Sequence, residues 1–219
     1  MSYGSGKTKE LIEKVILKEF PDFKVICKND SKLMRLISKV LFFNKKFMSH
    51  YVTTIGNTIY VPDLSFFDDD NRAFIVFAHE YVHMCDNKKY GFLYNLIYLS
   101  PQIFSLLSLL SFFNLYWILC LLFLLPLPSI GRTWLEYRGY SMSIACYYWL
   151  YKEQPPATRY LDNFTTSLYY WMCPFKSYIS SKLEQSLKDV VNGKLTEQQT
   201  KVEALLNESR QQVFSKLPS

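Results

Sequence analysis

Residues 77–86 read FAHEYVHMCD, and the interpretation of this run decides the rest of the chain. On a helix, positions i and i+4 lie one above the other, so His79 and His83 can direct their imidazoles at one point in space. Paired imidazoles at that spacing are how a helix presents a zinc site. Glu80 neighbours the same point and can reach a water molecule there without being a ligand. Within VFAHEYVHMC there is no proline and no charge other than Glu80, as a half-buried helix requires. Two of the chain's 3 histidines stand here. The plain alternative is a pair of ordinary surface or core histidines. Asp86 shares the helix face of His83 one turn on; it either orients a ligand imidazole by accepting its proton or is a solvated charge near the helix end.

Two imidazoles leave the shell incomplete. His50 is the remaining histidine, and it reads as a loop residue before a hairpin. Farther on, TWLEYRGYSM (133–142) offers Glu136 in an apolar, aromatic setting, where burying a carboxylate without a partner is costly. Gly139 lies on the same helix face, and the absence of a side chain there lets this helix approach the histidine helix closely. The competing reading is a carboxylate neutralised by Arg132 or Arg138.

Outward from these residues, 219 positions suit one domain with embellishments. A hydrophobic share of 49% and an aromatic share of 17% exclude a disordered chain. The net charge is +6, but its basic residues are scattered, so no nucleic-acid partner is expected. The 5 cysteines are odd in number and never spaced C-x-x-C, which favours free thiols. The opening MSYGSGKTKE has no apolar core and is not read as a signal peptide. Its GSGKT lacks the leading glycine and the preceding strand of a phosphate loop, so it reads as a flexible start.

Residues 7–20 place Leu11, Val15, Ile16 and Phe20 on one helical face, and FKVICK (23–28) follows as a strand. A second helix over 31–43 takes Ser31 as N-cap and Leu33, Leu36, Ile37, Val40 and Leu41 as its apolar stripe. YVTTIGNTIYVP (51–62) breaks at Gly56–Asn57 and reads as a hairpin near a sheet edge. The histidine helix begins in the acidic cluster Asp68–Asp70 and ends at Lys88, Lys89 and Gly91. A further helix from Gly131 stops before Pro155–Pro156. The end of the chain, 178–219, is a helical tail broken at Asn192–Gly193.

From Tyr90 to Gly131 no residue is formally charged. Residues 103–125 alone satisfy the length criterion for a membrane helix. A single crossing would put His83 and Glu136 on opposite sides, so any crossings are even in number. Two full spans need about 40 residues, which leaves little for a turn. A tight pair of helices, or a hairpin dipping partway in, meets both demands, with turning points at Pro101 and Ser111–Asn114. Lys88 and Lys89 at one mouth, with Arg132 and Arg138 at the other, favour both ends on the cytoplasmic side of a membrane. Residues 92–130 are thus expected to meet membrane lipid; the alternative is a soluble cytoplasmic protein that buries them.

The pattern His79-Glu80-x-x-His83 with a downstream helical Glu136 resembles the gluzincin branch of zinc metallopeptidases over residues 20–150. Lys89 stands where the metzincin branch has a further histidine. The resemblance implies an α+β fold: a minimal zincin-like core of helices with a small mixed sheet, a hydrophobic helical-hairpin insert over 91–131, and a helical tail. It further implies one Zn2+ per chain on His79, His83 and Glu136, Glu80 as general base, and a peptide or protein substrate, and the whole chain, 1–219, reads as a single metallopeptidase domain whose tail lies outside the resemblance. Tyr137, Tyr140 or Arg138 would donate to the oxyanion, and the edge strand between Thr53 and Tyr60 would pair with an extended substrate. The apolar insert is also similar to that of the CAAX prenyl protease and heat-shock protease group, although Tyr140 stands where those proteins carry an aspartate. A small phage or bacterial metallopeptidase fits the residues equally well. Outside the enzyme class, the chain reads as a membrane-active or scaffold protein, or as an inactive relative that binds zinc without turnover.

Overall fold

β-branched residues gather in short runs, and these runs form the sheet. In the computed structural model, which describes residues 7–40, 46–125, 127–155, 158–166 and 171–214, strands β1 (Lys24–Cys27), β2 (Thr53–Ile55) and β3 (Thr58–Val61) lie in the order β1-β3-β2. β1 runs parallel to β3, from Lys24 opposite Thr58 to Cys27 opposite Val61. β2 is antiparallel to β3, with Thr53 opposite Tyr60. The hairpin turns at Gly56, whose φ of +56° favours glycine. β3 is therefore central, and the edge expected over Thr53–Tyr60 is confined to β2. Helices dominate the rest of the described chain, an α+β arrangement as the sequence suggests.

The chain divides into two compact units, residues 1–84 with 195–219, and residues 85–194. The first holds the sheet, α1 (Lys7–Glu19), α2 (Lys32–Val40), most of α3 (Asp70–Tyr90) and α8 (Glu197–Phe214). α1 buries Ile12, Val15 and Ile16, with Phe20 buried just past its end and Leu11, expected on this face, half-buried; the helix packs against α8. Lys201 of α8 adds ion pairs to Glu19 and Glu197. Ser31 caps α2 as expected, its Oγ accepting the Met34 N–H at 3.2 Å. The stripe read for α2 needs correction. Met34 is the fully buried residue and packs with Phe47 and Tyr60, while Leu33 is 42% and Leu36 61% exposed. With apolar residues at 33, 34, 36 and 37, a helix this short has no unique apolar face, and the sheet selects Met34. The side chain of Val40, the whole of Leu41 and the glycine-rich start at 4–6 lie outside the described residues.

α3 opens where the acidic cluster places it, with Asp69 Oδ1 accepting the Arg72 N–H at 3.0 Å. It closes at Lys88, Lys89 and Gly91, the last at φ +56°. Between these ends Phe74, Phe77, Ala78 and Tyr81 are fully buried.

The second unit is built on α5 (Ile130–Tyr151), against which α4 (Phe92–Leu99) and α7 (Lys176–Val191) pack. Ser129 caps α5, accepting the Arg132 N–H. Tyr140 and Ile144 of α5 share a core with Tyr160 and Phe164 of α6 (Thr158–Thr165), Met172, Cys173, Ile179 and Leu183. The tail is two helices separated at Asn192–Gly193, as the sequence suggests, α7 against α5 and α8 against α1; residues 215–219 lie outside the described set. All five cysteines are free thiols, and burial pushes the Cys146 thiol well above its ordinary range.

After α4 the chain bends by 90° around Ser100–Pro101 into a 3₁₀ helix, Gln102–Phe112. A second 3₁₀ helix, Leu115–Leu124, returns beside it. Gln102 Nε2 donates to the Leu125 carbonyl, and the Phe104 and Phe123 rings meet at 5.6 Å, so the two arms are antiparallel. The hairpin turns at Phe113–Asn114, where Asn114 Oδ1 accepts the Tyr116 N–H. None of the residues of α4 or of the two arms is buried. Among the described residues no single helix is long and apolar enough to cross a membrane, although the bent pair of α4 and the first arm passes that test together. The first arm also explains its own helix type. Gln102, Ser105, Ser108 and Ser111 recur every third residue, which at three residues per turn puts them on one face. All four are half-buried, while Phe104, Leu106, Leu107, Leu109, Leu110 and Phe112 are exposed.

Candidate metal centre

His79 and His83 stand one turn apart on α3, both buried, with their Nε2 atoms 3.0 Å from each other. Glu136 of α5 is only 2% exposed. The three side chains can each offer one ligand atom, and these atoms lie within 4.8 Å of one another. In a tetrahedral shell with metal–nitrogen bonds of ~2.0–2.1 Å, two nitrogens stand ~3.3 Å apart, so the imidazoles already hold nearly the spacing a bound ion imposes. Two nitrogens and one carboxylate oxygen supply three donors, where a tetrahedral ion takes four ligands. The buried group can hold a metal ion.

One turn past His83 on the same helix, Asp86 is fastened to α5. Arg138 donates to both of its oxygens, Nε to Oδ2 and Nη2 to Oδ1, each at 2.8 Å. This bidentate pair raises the Arg138 pKa further and sits two positions from Glu136 in sequence. Asp86, read from sequence as orienting a ligand imidazole or as a solvated charge near the helix end, is buried and paired with Arg138.

Glu80 is buried beside His79, and Thr54 of β2 donates its hydroxyl to Glu80 Oε2 at 2.7 Å. A fully buried lysine belongs to the same unit. Lys28 Nζ donates to the Phe47 carbonyl at 2.7 Å and lies 3.9 Å over the Phe47 ring. Burial lowers its pKa to about 8, against the opposing pull of the Glu80 charge.

The three groups expected to serve an oxyanion are placed in other contacts. Tyr137 donates to the Lys182 carbonyl at 3.3 Å, and burial raises its pKa. Tyr140 accepts from Asn163 Nδ2 at 2.8 Å and packs its ring 5.3 Å from both Tyr160 and Phe164. Arg138 holds Asp86 and lies over the Trp134 ring. Arg132, the other candidate for neutralising Glu136, donates to the Tyr98 carbonyl and to Gln102 Oε1. His50 is exposed in the turn over 46–50, its Nδ1 2.6 Å from Ser49 Oγ.

Two polar neighbours of the site escaped sequence reasoning, Thr54 on Glu80 and Tyr98 on Glu136. The Tyr98 hydroxyl donates to Glu136 Oε1 at 2.7 Å. Neither carries a local signal, because each depends on which elements meet. The glycine expected to permit close packing was Gly139, which is buried on α5. A close approach occurs at Gly131, where an added Cβ would stand 2.7 Å from Ile97 Cγ2 and 2.8 Å from the Ile97 carbonyl oxygen. No protein-family model, curated protein or solved structure matches this chain.

Proposed function

We propose that the protein is a zinc-dependent metalloendopeptidase of the gluzincin type, with a zincin-like core, held at a membrane by its apolar hairpin. The observation that carries this reading is the buried convergence of His79, His83 and Glu136, with Glu80 one position from the first ligand. His79, His83 and Glu136 would hold the zinc. When bound, zinc supplies an acidified water and a polarised substrate carbonyl. Glu80 takes the proton from the attacking water and passes it to the leaving amine, while Thr54 keeps one of its oxygens fixed. Thr54 belongs to β2, which among the described residues pairs only with β3. Its other edge is available to an extended peptide, whose backbone would add a strand beside the general base.

The decisive experiment is elemental analysis combined with turnover. Wild-type protein is expected to carry one zinc per chain. Glu80→Gln should keep the metal and lose about 10²–10⁴-fold in kcat. A folded chain that takes up no zinc, or hydrolysis untouched by Glu80→Gln, overturns the enzyme reading.

Support for the membrane is the inverted burial of the 3₁₀ hairpin, with a serine face half-buried and leucines outward. Small polar residues inward and leucine outward is the packing expected in lipid, not in water. At ~2.0 Å per residue, arms of 11 and 10 residues reach ~20–22 Å, short of a hydrocarbon core of ~30 Å. The hairpin dips in and returns on the same side. Exposed apolar residues lie along both arms, which suits a surrounding solvent of lipid chains better than a partner groove covering one side. Co-flotation with phosphatidylcholine–phosphatidylglycerol vesicles tests this; wild-type protein left at the bottom of the gradient refutes it.

A further inference from the structure

We infer that Tyr98 is the positioning residue of Glu136, so that the apolar segment, through α4, sets the geometry of the metal group. This rests on the metal-binding reading above. Tyr98 is the last residue but one of α4, and it meets α5 through its hydroxyl, its carbonyl and its ring, the last 5.5 Å from the Arg132 guanidinium. Its hydroxyl donates to Glu136 Oε1 at 2.7 Å, and its carbonyl accepts from Arg132 Nε at 3.0 Å. Its neighbours are seated on the same turns of α5. Ile97 touches the backbone of Gly131 so closely that no Cβ fits. The Ser100 carbonyl accepts from Ser129 Oγ, and Gln102 Oε1 accepts from Arg132 Nη2 at 2.9 Å. Residues 97–102 are thus latched to the first turns of α5, ahead of the carboxylate.

A carboxylate without restraint can present either oxygen, or both, to a cation. A hydroxyl donor on Oε1 fixes the rotation of the group and favours binding through the remaining oxygen, which is how outer hydrogen bonds commonly tune a ligand. The alternative is that Tyr98 merely satisfies a buried polar atom, and the two readings differ in what the metal feels. Tyr98→Phe removes one oxygen, keeps the ring, and leaves the Arg132–Tyr98 backbone bond available.

The test is performed on the full chain, with zinc affinity measured by competition with a chromophoric chelator and with visible spectra of the Co2+-substituted protein. Tyr98→Phe is expected to bind zinc about 10–100-fold more weakly, and its cobalt spectrum should shift as the carboxylate changes from one-oxygen to two-oxygen binding. Its far-UV circular dichroism should match the wild type. If the wild type binds one zinc and Tyr98→Phe binds it equally tightly with the same cobalt spectrum, the inference fails while the metal reading stands. If the wild type itself takes up no zinc, both fall.

Discussion

The turn of α3 from His79 to Asp86 and the 3₁₀ hairpin from Gln102 to Leu124 break the same rule in opposite directions. In the first, two histidines, Glu80 and Asp86 are all less than a tenth exposed. In the second, leucines and phenylalanines face outward, Phe112 to 90%. Water-soluble chains put polar groups outside and apolar ones inside because burying an unpaired charge is far more costly than leaving it wet, and exposing apolar area forfeits the main driving force of folding. Part of the first violation is resolved internally, Asp86 by Arg138 and Glu80 by Thr54. The buried His79, His83 and Glu136 group could hold a metal ion, and the proposal gives the hairpin lipid as its surroundings.

The largest effect should come from removing the partner of the first region. His83→Ala is expected to lower bound zinc from one per chain to none by elemental analysis, with activity lost altogether. Because a bound ion stabilises only the folded chain, chelation of wild-type zinc should also lower its Tm, whereas His83→Ala should be indifferent to chelator. A chelator-independent wild-type Tm would mean that the imidazoles merely pack.

Next is the hairpin. Leu109 is 76% and Leu119 60% exposed, one on each arm. Replacing both by arginine puts two charges on the side proposed to face lipid, at a cost of ~2.5–3.5 kcal/mol each at full depth. Vesicle co-flotation should vanish, yet zinc content should stay at one per chain. Loss of both together would show that the two regions are not separable in this way.

How legible the two regions are in the sequence differs for a physical reason. The i,i+4 histidines announce themselves because helical geometry alone brings them together, and Glu136 could be nominated because a lone carboxylate in apolar surroundings demands a partner. Tyr137, Arg138 and Tyr140 stand close to Glu136 in sequence, but Tyr140 is drawn into the aromatic core with Tyr160 and Phe164 and Arg138 to Asp86. Tyr98 and Thr54 could not be read, since nothing local to either says that α4 meets α5 or that β2 meets Glu80. In the hairpin, the turning points at Pro101 and 111–114 are visible as breaks in the apolar run. The helix type was also written there, in the three-residue repeat Gln102, Ser105, Ser108, Ser111. The four polar residues look like blemishes in a greasy helix until they are counted in threes.

The ion pair that joins α3 to α5 gives a smaller and asymmetric prediction. Asp86 is 1% exposed in its side chain and Arg138 26%. Arg138→Ala leaves a buried carboxylate alone and should cost about 3 kcal/mol in chemical denaturation. Asp86→Ala leaves a guanidinium that can still reach water, and should cost less. Equal losses would mean that the pair acts mainly through packing against Trp134.

The finest distinction concerns a buried charge that needs no outside partner. Lys28 is as deeply buried as any residue of the metal group, but the Phe47 carbonyl and ring receive its ammonium. Its pKa is lowered to about 8 from an ordinary 10.5. Below pH 8 both the folded and the unfolded chain hold this proton, so it contributes no pH dependence. Between pH 8 and 10.5 the unfolded chain binds a proton that the folded one releases, so stability rises with pH at a slope of at most ~1.4 kcal/mol per unit. Above 10.5 neither holds it and the contribution is level again. Denaturant titrations of wild type and Lys28→Met across this window isolate the term by difference: the wild type should gain stability relative to Lys28→Met as pH rises. Parallel curves would mean that Lys28 keeps an ordinary pKa, its buried charge being fully met by Phe47 and Glu80.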